Sequence, residues 1–213
     1  MRCLKPIYVR DTAYIGLNRK MQVPCGKCYA CRMNQRTDWT TRNLLELQCA
    51  AWALFVTLTY DDDHAPCNCD GVLEVEKYDV QTWLKRLRKW LDKNTGSKVR
   101  YFLTSEYGEG LRRPHYHVLL YFDTLDSRKI ATFDAIETTW GNGNVQFGDV
   151  EPASVHYCMK YLMKFDEEIQ PLPSGINRPF ALCHEGQRLA CLGLMNVRKI
   201  ITLKGLHKIS HVK

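Results

Sequence analysis

Two histidines, His115 and His117, stand two residues apart in the run Arg113-Pro114-His115-Tyr116-His117-Val118-Leu119-Leu120-Tyr121-Phe122. The apolar and aromatic residues after them predict a buried strand, with Pro114 at its start, where a missing N–H costs the ladder least. Side chains alternate along a strand, so both imidazoles leave the same face, their Cα atoms about 6–7 Å apart at a rise of ~3.3 Å per residue. Neutral imidazoles so placed can converge on one cation. Glu106 lies near the end of Val99-Arg100-Tyr101-Phe102-Leu103-Thr104-Ser105-Glu106-Tyr107, and Gly108-Glu109-Gly110-Leu111-Arg112-Arg113 predicts the turn of a hairpin between the two runs. Antiparallel pairing brings Glu106 near the level of both histidines. One carboxylate and two imidazoles make a three-ligand face with open positions, suited to Mn²⁺, Mg²⁺ or Zn²⁺. The plain alternative is an exposed strand end carrying two histidines and a carboxylate, so the case needs further residues.

Those residues come near the end of the chain. Pro152 predicts a helix start, and residues 153–165 continue it. On a 3.6-residue wheel, Val155, Cys158, Met159 and Leu162 form one stripe. Tyr157, Lys160, Tyr161 and Lys164 form the opposite one, at i, i+3, i+4 and i+7. The helix already has an apolar stripe for packing, so the phenols and ammoniums are presented together on another side. A phenol ordinarily titrates near ~10; an adjacent ammonium and a divalent cation both favour phenolate, which makes a nucleophile. A second metal set lies near the start. Cys25-Gly26-Lys27-Cys28-Tyr29-Ala30-Cys31 spaces three thiols three residues apart, with Gly26 letting the backbone turn them inward. A closed structural zinc site wants four ligands. Cys3 is the first choice for the fourth, with Cys67, Cys69 and His64 as alternatives and free reduced thiols as the plain reading. Zinc there would pin an N-terminal arm with little core of its own.

The elements that must position these groups are legible in outline. Residues 37–51 read as a helix with Trp39, Leu45, Cys49 and Trp52 roughly on one side and Arg32, Arg36 and Arg42 near its start. Ala53-Leu54-Phe55-Val56-Thr57-Leu58-Thr59-Tyr60 is a strand ended by Asp61-Asp62-Asp63, read as a solvated turn. Residues 80–91 are the clearest amphipathic helix, apolar along Val80, Trp83, Leu84, Leu87 and Leu91, and basic at Lys85, Arg86, Arg88 and Lys89. That basic surface is ordinarily solvated and is also placed to touch phosphates. Residues 127–140 predict a helix and residues 145–150 a strand, with Gly141-Asn142-Gly143-Asn144 turning between them. Residues 171–175 read as a linker, 180–183 and 189–194 as short strands, and 198–213 as a basic tail without acids. The resulting division is an arm and helix over 1–52, a core over 53–165 and an extension over 166–213, within one compact domain.

Composition is that of a globular chain: 213 residues, 45% hydrophobic and 25% charged. Its 30 Lys and Arg against 23 Asp and Glu leave a net charge of +7, compatible with a polyanionic partner. No twenty-residue apolar run predicts a membrane span, and Met1-Arg2-Cys3-Leu4-Lys5-Pro6 leads into no secretory h-region. The ten cysteines are therefore read as metal ligands where closely spaced and as small apolar residues where scattered. Internal repeats, a P-loop and the Rossmann glycine fingerprint are all missing.

Taken in order, Phe55-Val56-Thr57-Leu58-Thr59-Tyr60, Glu106 before Arg113-Pro114-His115-Tyr116-His117, and Tyr157-Cys158-Met159-Lys160-Tyr161-Leu162-Met163-Lys164 resemble the three motifs of HUH-superfamily rolling-circle replication initiators. The likeness is to the Microviridae initiators of the gokushovirus type and covers roughly residues 1–195. Cys3-Leu4-Lys5-Pro6, the three-cysteine run and Leu84-Lys85-Arg86-Leu87-Arg88-Lys89 look like that family too. The resemblance implies an α+β fold, a roughly five-stranded antiparallel sheet with flanking helices. His115, His117 and Glu106 would bind a catalytic Mn²⁺ or Mg²⁺, and Cys3, Cys25, Cys28 and Cys31 a structural Zn²⁺. Tyr157 or Tyr161 would attack origin single-stranded DNA, leaving a 5′-phosphotyrosine and a 3′-hydroxyl for later rejoining, with Lys160 and Lys164 neutralising charge. It further implies a monomer working in the bacterial host's cytoplasm with a host helicase and polymerase, and a longer chain than this one. Two rivals stand beside it. One is a non-catalytic module stacking bases on Tyr101, Phe102, Tyr116 and Tyr121. The other is a phosphodiesterase in which activated water attacks and the tyrosines only bind substrate.

Overall fold

The computed structural model describes residues 2–10, 20–125, 129–164 and 175–184, without the side chains of Arg10, Met163 and Lys164. In chain order the elements are β1 (Ile7–Arg10), β2 (Lys20–Val23), α1 (Tyr29–Cys49), β3 (Trp52–Thr59), α2 (Lys77–Asn94), β4 (Val99–Tyr107), β5 (Pro114–Phe122), α3 (Lys129–Trp140), β6 (Val145–Asp149), α4 (Pro152–Lys164) and β7 (Ala181–Cys183). β1 and β2 form a separate hairpin; the other five strands make one antiparallel sheet in the order β6-β3-β5-β4-β7. The histidine strand is thus the central strand, flanked by β3 and β4.

Alternation sends β5 into two cores. Tyr116, Val118, Leu120 and Phe122 pack with Trp83, Leu84, Leu87 and Leu91 of α2 and with Ile136 and Trp140 of α3. Leu119 and Tyr121 face the other way, onto Val155, Cys158 and Met159 of α4 and Trp39, Leu44 and Leu47 of α1. Helices therefore cover both sides, α2 and α3 on one, α1 and α4 on the other. Burying each large side chain stabilises by roughly 1.5–3 kcal/mol, so this double cover holds the central strand firmly. Polar groups inside are paired: the Tyr121 hydroxyl donates to Asn43 at 2.9 Å, Arg100 pairs with Glu46, and the Tyr60 hydroxyl donates to Asp79 at 2.8 Å.

Several expectations need correcting. α1 begins at Tyr29, two turns before the apolar periodicity starts at Trp39. Its first turns bury little beyond Ala30 and Cys31, and its N-cap, Cys28, makes no side-chain capping bond. The β1–β2 hairpin is an addition that no sequence pattern announces. Tyr101, Phe102, Tyr116 and Tyr121 are all buried, which removes them as a base-stacking sheet face. The basic surface of α2 lies on the helical layer away from α4, and Arg88 there stacks over Tyr101 at 5.1 Å instead of staying solvated. Of the acids after β3, Asp62 binds Arg113 at 2.5 Å and Asp61 accepts from the His64 backbone at 2.9 Å, so the turn is partly tied down. The expected strand at 189–194 and tail at 198–213 lie outside the described residues, as does most of the linker. Among the described residues, no helix is long and apolar enough to cross a membrane.

Candidate active site and cysteine centre

Strand register assembles the first half of the site. On one rung His117 lies between Thr57 and Thr104; on the next His115 lies between Thr59 and Glu106. These residues share the sheet face that carries α1 and α4, because they alternate with the residues packed under α2. His117 is 5% exposed. Its Nε2 stands 2.8 Å from Glu106 Oε1 and its Nδ1 3.2 Å from the Thr57 hydroxyl. With the carboxylate ionised, Nε2 donates and Nδ1 accepts from Thr57, which suits a neutral imidazole. His115 donates Nδ1–H to the Arg113 carbonyl at 2.8 Å, which leaves its Nε2 lone pair available. Its ring lies against Gly108, where an added Cβ would come within 2.9 Å of Cε1. Arg113 itself is fixed by Asp62 and by the Tyr60 carbonyl at 2.9 Å.

α4 supplies the other half. Val155, Cys158 and Met159 seat the helix on the sheet. Tyr161 stacks on the His117 ring at 5.1 Å and 17°, and Tyr157 meets it edge-on at 5.2 Å and 78°. The two phenol rings are 5.3 Å apart. Phe55 lies 5.9 Å from the imidazole, nearly parallel to it. The helical wheel places four residues on one polar side, and the structure divides them. Tyr161 is buried at 5% exposure while Tyr157 sits at the rim at 38%. Lys160 is exposed, its Nζ 5.8 Å from the Tyr157 ring centre. The side chain of Lys164 is not among those described. Burial pushes the Tyr161 phenol far above its usual range, and hydrogen bonds with Tyr157 and Glu106 and the nearby carboxylate charge add to it.

The cysteines form a second centre, at the root of α1. Cys3 Sγ is 3.6 Å from Cys25 Sγ and 3.8 Å from Cys28 Sγ, and Cys25 Sγ is 4.0 Å from Cys31 Sγ. Among the described residues, these four are the group of three or more possible ligands whose donor atoms all lie within 4.8 Å of one another. His115, His117 and Glu106 are not gathered that closely. Backbone N–H groups point at the sulfurs: Leu4 at Cys28, Cys25 at Cys3 and Cys28 at Cys25, at 3.5, 3.3 and 3.3 Å. The Leu4 N–H, with that of Cys31, lowers the Cys28 thiol to about 6. Burial pushes Cys31 up to about 12. Of the four candidates for the last ligand, Cys3 is the one present; Cys67 and Cys69 are exposed in another loop, and His64 bonds Asp61. Such a cluster can hold a metal ion.

Thr57, Gly108 and Arg113 support the site without being singled out by the sequence. Thr57 and Thr59 do carry a signal, as alternate polar residues facing away from Val56 and Leu58 in a strand. Gly108 and Arg113 lie in the hairpin loop, whose contacts no spacing rule gives.

Residues 53–166 match the family model for the replication-associated protein ORF2. The replication-associated protein VP4 of Bdellovibrio phage phiMH2K is 32% identical over 188 residues, covering 77% of this chain and 58% of that protein. The replication-associated protein ORF2 of Spiroplasma virus 4 is 28% identical over 197 residues, covering 77% and 61%. This chain thus spans about three-fifths of the length of those two relatives. The N-terminal nuclease domain of the non-structural protein-1 of minute virus of mice aligns at 13% identity and a TM-score of 0.30, over 71% of this chain and 78% of that one. That likeness is too loose to bear weight.

Proposed function

The chain belongs to the family of the replication-associated protein ORF2, and from that premise we propose that it initiates rolling-circle replication by nicking origin single-stranded DNA with a tyrosine. The observation that carries this is the packing of both α4 phenol rings, 5.1 and 5.2 Å away, on an imidazole that is itself 2.8 Å from Glu106. Tyr157 is the first nucleophile, because it stands at the rim. Its oxygen bonds to phosphorus as the bond from phosphorus to the 3′-oxygen breaks. The phenolic proton is lost, the departing 3′-oxygen gains one, and the strand ends as a 5′-phosphotyrosine and a 3′-hydroxyl. Lys160, exposed over that ring, neutralises charge gathering on the phosphate, and Lys164 is assigned the same part. Tyr161, held neutral, makes the later cut, and the 3′-hydroxyl reseals the circle.

Glu106, His115 and His117 would hold a Mn²⁺ or Mg²⁺, which polarises the scissile phosphate when bound. The donor set fits: a carboxylate and an imidazole share one proton where a cation would stand, and His115 Nε2 faces out from the same side of the sheet. Zn²⁺ at Cys3, Cys25, Cys28 and Cys31 serves structure alone. On this reading the protein works as a monomer in the cytoplasm of a bacterial host, with that host's helicase and polymerase.

The neutral, buried Tyr161 favours one rival, in which water attacks and the tyrosines only hold the strand. One assay separates them. Labelled single-stranded fragments tiling the phage genome are incubated with the protein and Mn²⁺, then run on a denaturing gel. A covalent adduct accompanying cleavage supports the tyrosine reading; cleavage without any adduct sinks it.

A further inference from the structure

The net charge of +7 is unevenly placed. Residues 1–37 contain eight Lys or Arg and a single acid, Asp11, which already amounts to +7; the remaining 176 residues balance at 22 basic against 22 acidic. All the excess therefore sits on the N-terminal arm and the first turns of α1. Among the described residues there, Arg2, Lys5, Lys20 and Lys27 are exposed.

Large side chains accompany the charge. Tyr8 is 68% exposed and Tyr29 61%. Register and alternation place Tyr8, Gln22 and Lys20 on one face of the β1–β2 hairpin. Neither strand packs extensively against any other described element. Between hairpin and helix lies a cavity of about 300 Å³, lined by the polar side chains of Arg2, Gln22 and Asn34. Solvated aromatic rings interleaved with ammoniums, and no acid beside them among the described residues, match a strand with stackable bases and anionic phosphates. A folded protein partner would ask for a more apolar centre.

The arm is also at the right end of the molecule. Two contacts fix the path of α1 over the sheet: Asn43 bonds the Tyr121 hydroxyl at 2.9 Å, and Trp39 packs on Phe102 at 5.1 Å. Phe102 is paired with Leu119. Going back along the helix therefore means going back along β5, from Tyr121 toward His115. From Trp39 to Tyr29 is ~15 Å at 1.5 Å per residue. From Leu119 to His115 is ~13 Å at about 3.3 Å per residue. The start of α1, where the four cysteines tie down the arm, is carried to the level of the histidines.

From these observations we propose that the cysteine-anchored arm is a docking surface for single-stranded DNA, with bases on Tyr8 and Tyr29 and phosphates on Lys5, Lys20 and Lys27, feeding the strand to the catalytic end of the sheet. The proposal rests on the reading that the substrate is single-stranded DNA. It also gives the cysteine centre a purpose: an arm without a core of its own must be rigidly rooted to aim a strand.

The test is fluorescence anisotropy with a labelled mixed-sequence 20-nucleotide single strand, using the full chain carrying Tyr157→Phe and Tyr161→Phe so that nothing is cut. Adding Tyr8→Ala with Tyr29→Ala should weaken binding tenfold or more, while Tyr8→Phe with Tyr29→Phe keeps the affinity. Adding Lys5→Gln with Lys27→Gln should flatten the dependence of log affinity on log salt by ~0.7 for each phosphate left without its ammonium. Affinity and salt slope within twofold of the parent in both sets overturn the proposal. So does sedimentation showing that the parent is a dimer that the Tyr8 and Tyr29 changes split, since the surface then holds a second copy. Failure of the nuclease reading is separate: it shows as an absent adduct in the unmodified protein and leaves the affinity comparison readable.

Discussion

His117 is held from both sides, by Glu106 at Nε2 and by Thr57 at Nδ1, between the rings of Phe55 and Tyr161. An imidazole so confined has its tautomer and orientation set before substrate arrives. His117→Ala should abolish cleavage and adduct together, about a thousandfold or more on a denaturing gel. The two phenols are not equivalent: one is at the rim, and the other is kept neutral by burial, by Tyr157 and by Glu106. Tyr157→Phe is expected to lower the first cut at least tenfold, and Tyr161→Phe to leave it within about threefold while impairing rejoining. Equal effects of the two in single-turnover cleavage would mean that exposure does not set the order. The residue types are readable from spacing: His-x-His on one strand face, two tyrosines four apart, Cys-x-x-Cys-x-x-Cys. The split of the Tyr/Lys stripe is not, because a wheel gives angles along one helix and says nothing of how the sheet beside it curves toward Tyr161.

At the scale of elements, β3, β4, β5, α2 and α4 are readable because their apolar periods are unbroken. The β1–β2 hairpin is not, since four-residue strands with exposed Ile7, Tyr8 and Met21 carry no burial pattern. Nor is the start of α1, which follows the cysteine cluster and not an apolar stripe. One turn places β6 against the end of β3. Gly143 has φ +146°, and a Cβ there would lie 2.3 Å from the Asp61 backbone nitrogen. The substitution Gly143→Ala should destabilise the fold by about 2 kcal/mol or more, seen as a lower urea midpoint at unchanged slope. The cysteine centre is local by comparison. Zinc analysis should find about one metal per chain, lost in Cys31→Ser, with the far-ultraviolet signal of the sheet and of α2 retained. A chain that unfolds completely on losing the metal would mean the cluster supports the whole core.

For the molecule as a whole, burial raises the phenols of Tyr60, Tyr116, Tyr121 and Tyr161. Above about pH 10 the unfolded chain loses these protons and the folded one keeps them, so stability must fall as pH rises past that point. A urea midpoint that stays level from pH 8 to 11 would contradict the burial described here. The charge of the whole is +7 on residues 1–37 and zero elsewhere, so salt should weaken DNA binding mainly through the arm.

The central claim is that an α4 phenol attacks the phosphate beside the histidine strand, and mass spectrometry of the trapped protein–DNA adduct tests it most directly. Digestion after a single turnover should yield the peptide bearing Tyr157 with a 5′-phosphonucleotide attached. Cleaved DNA with no modified peptide, or a nucleotide attached outside α4, would contradict the account.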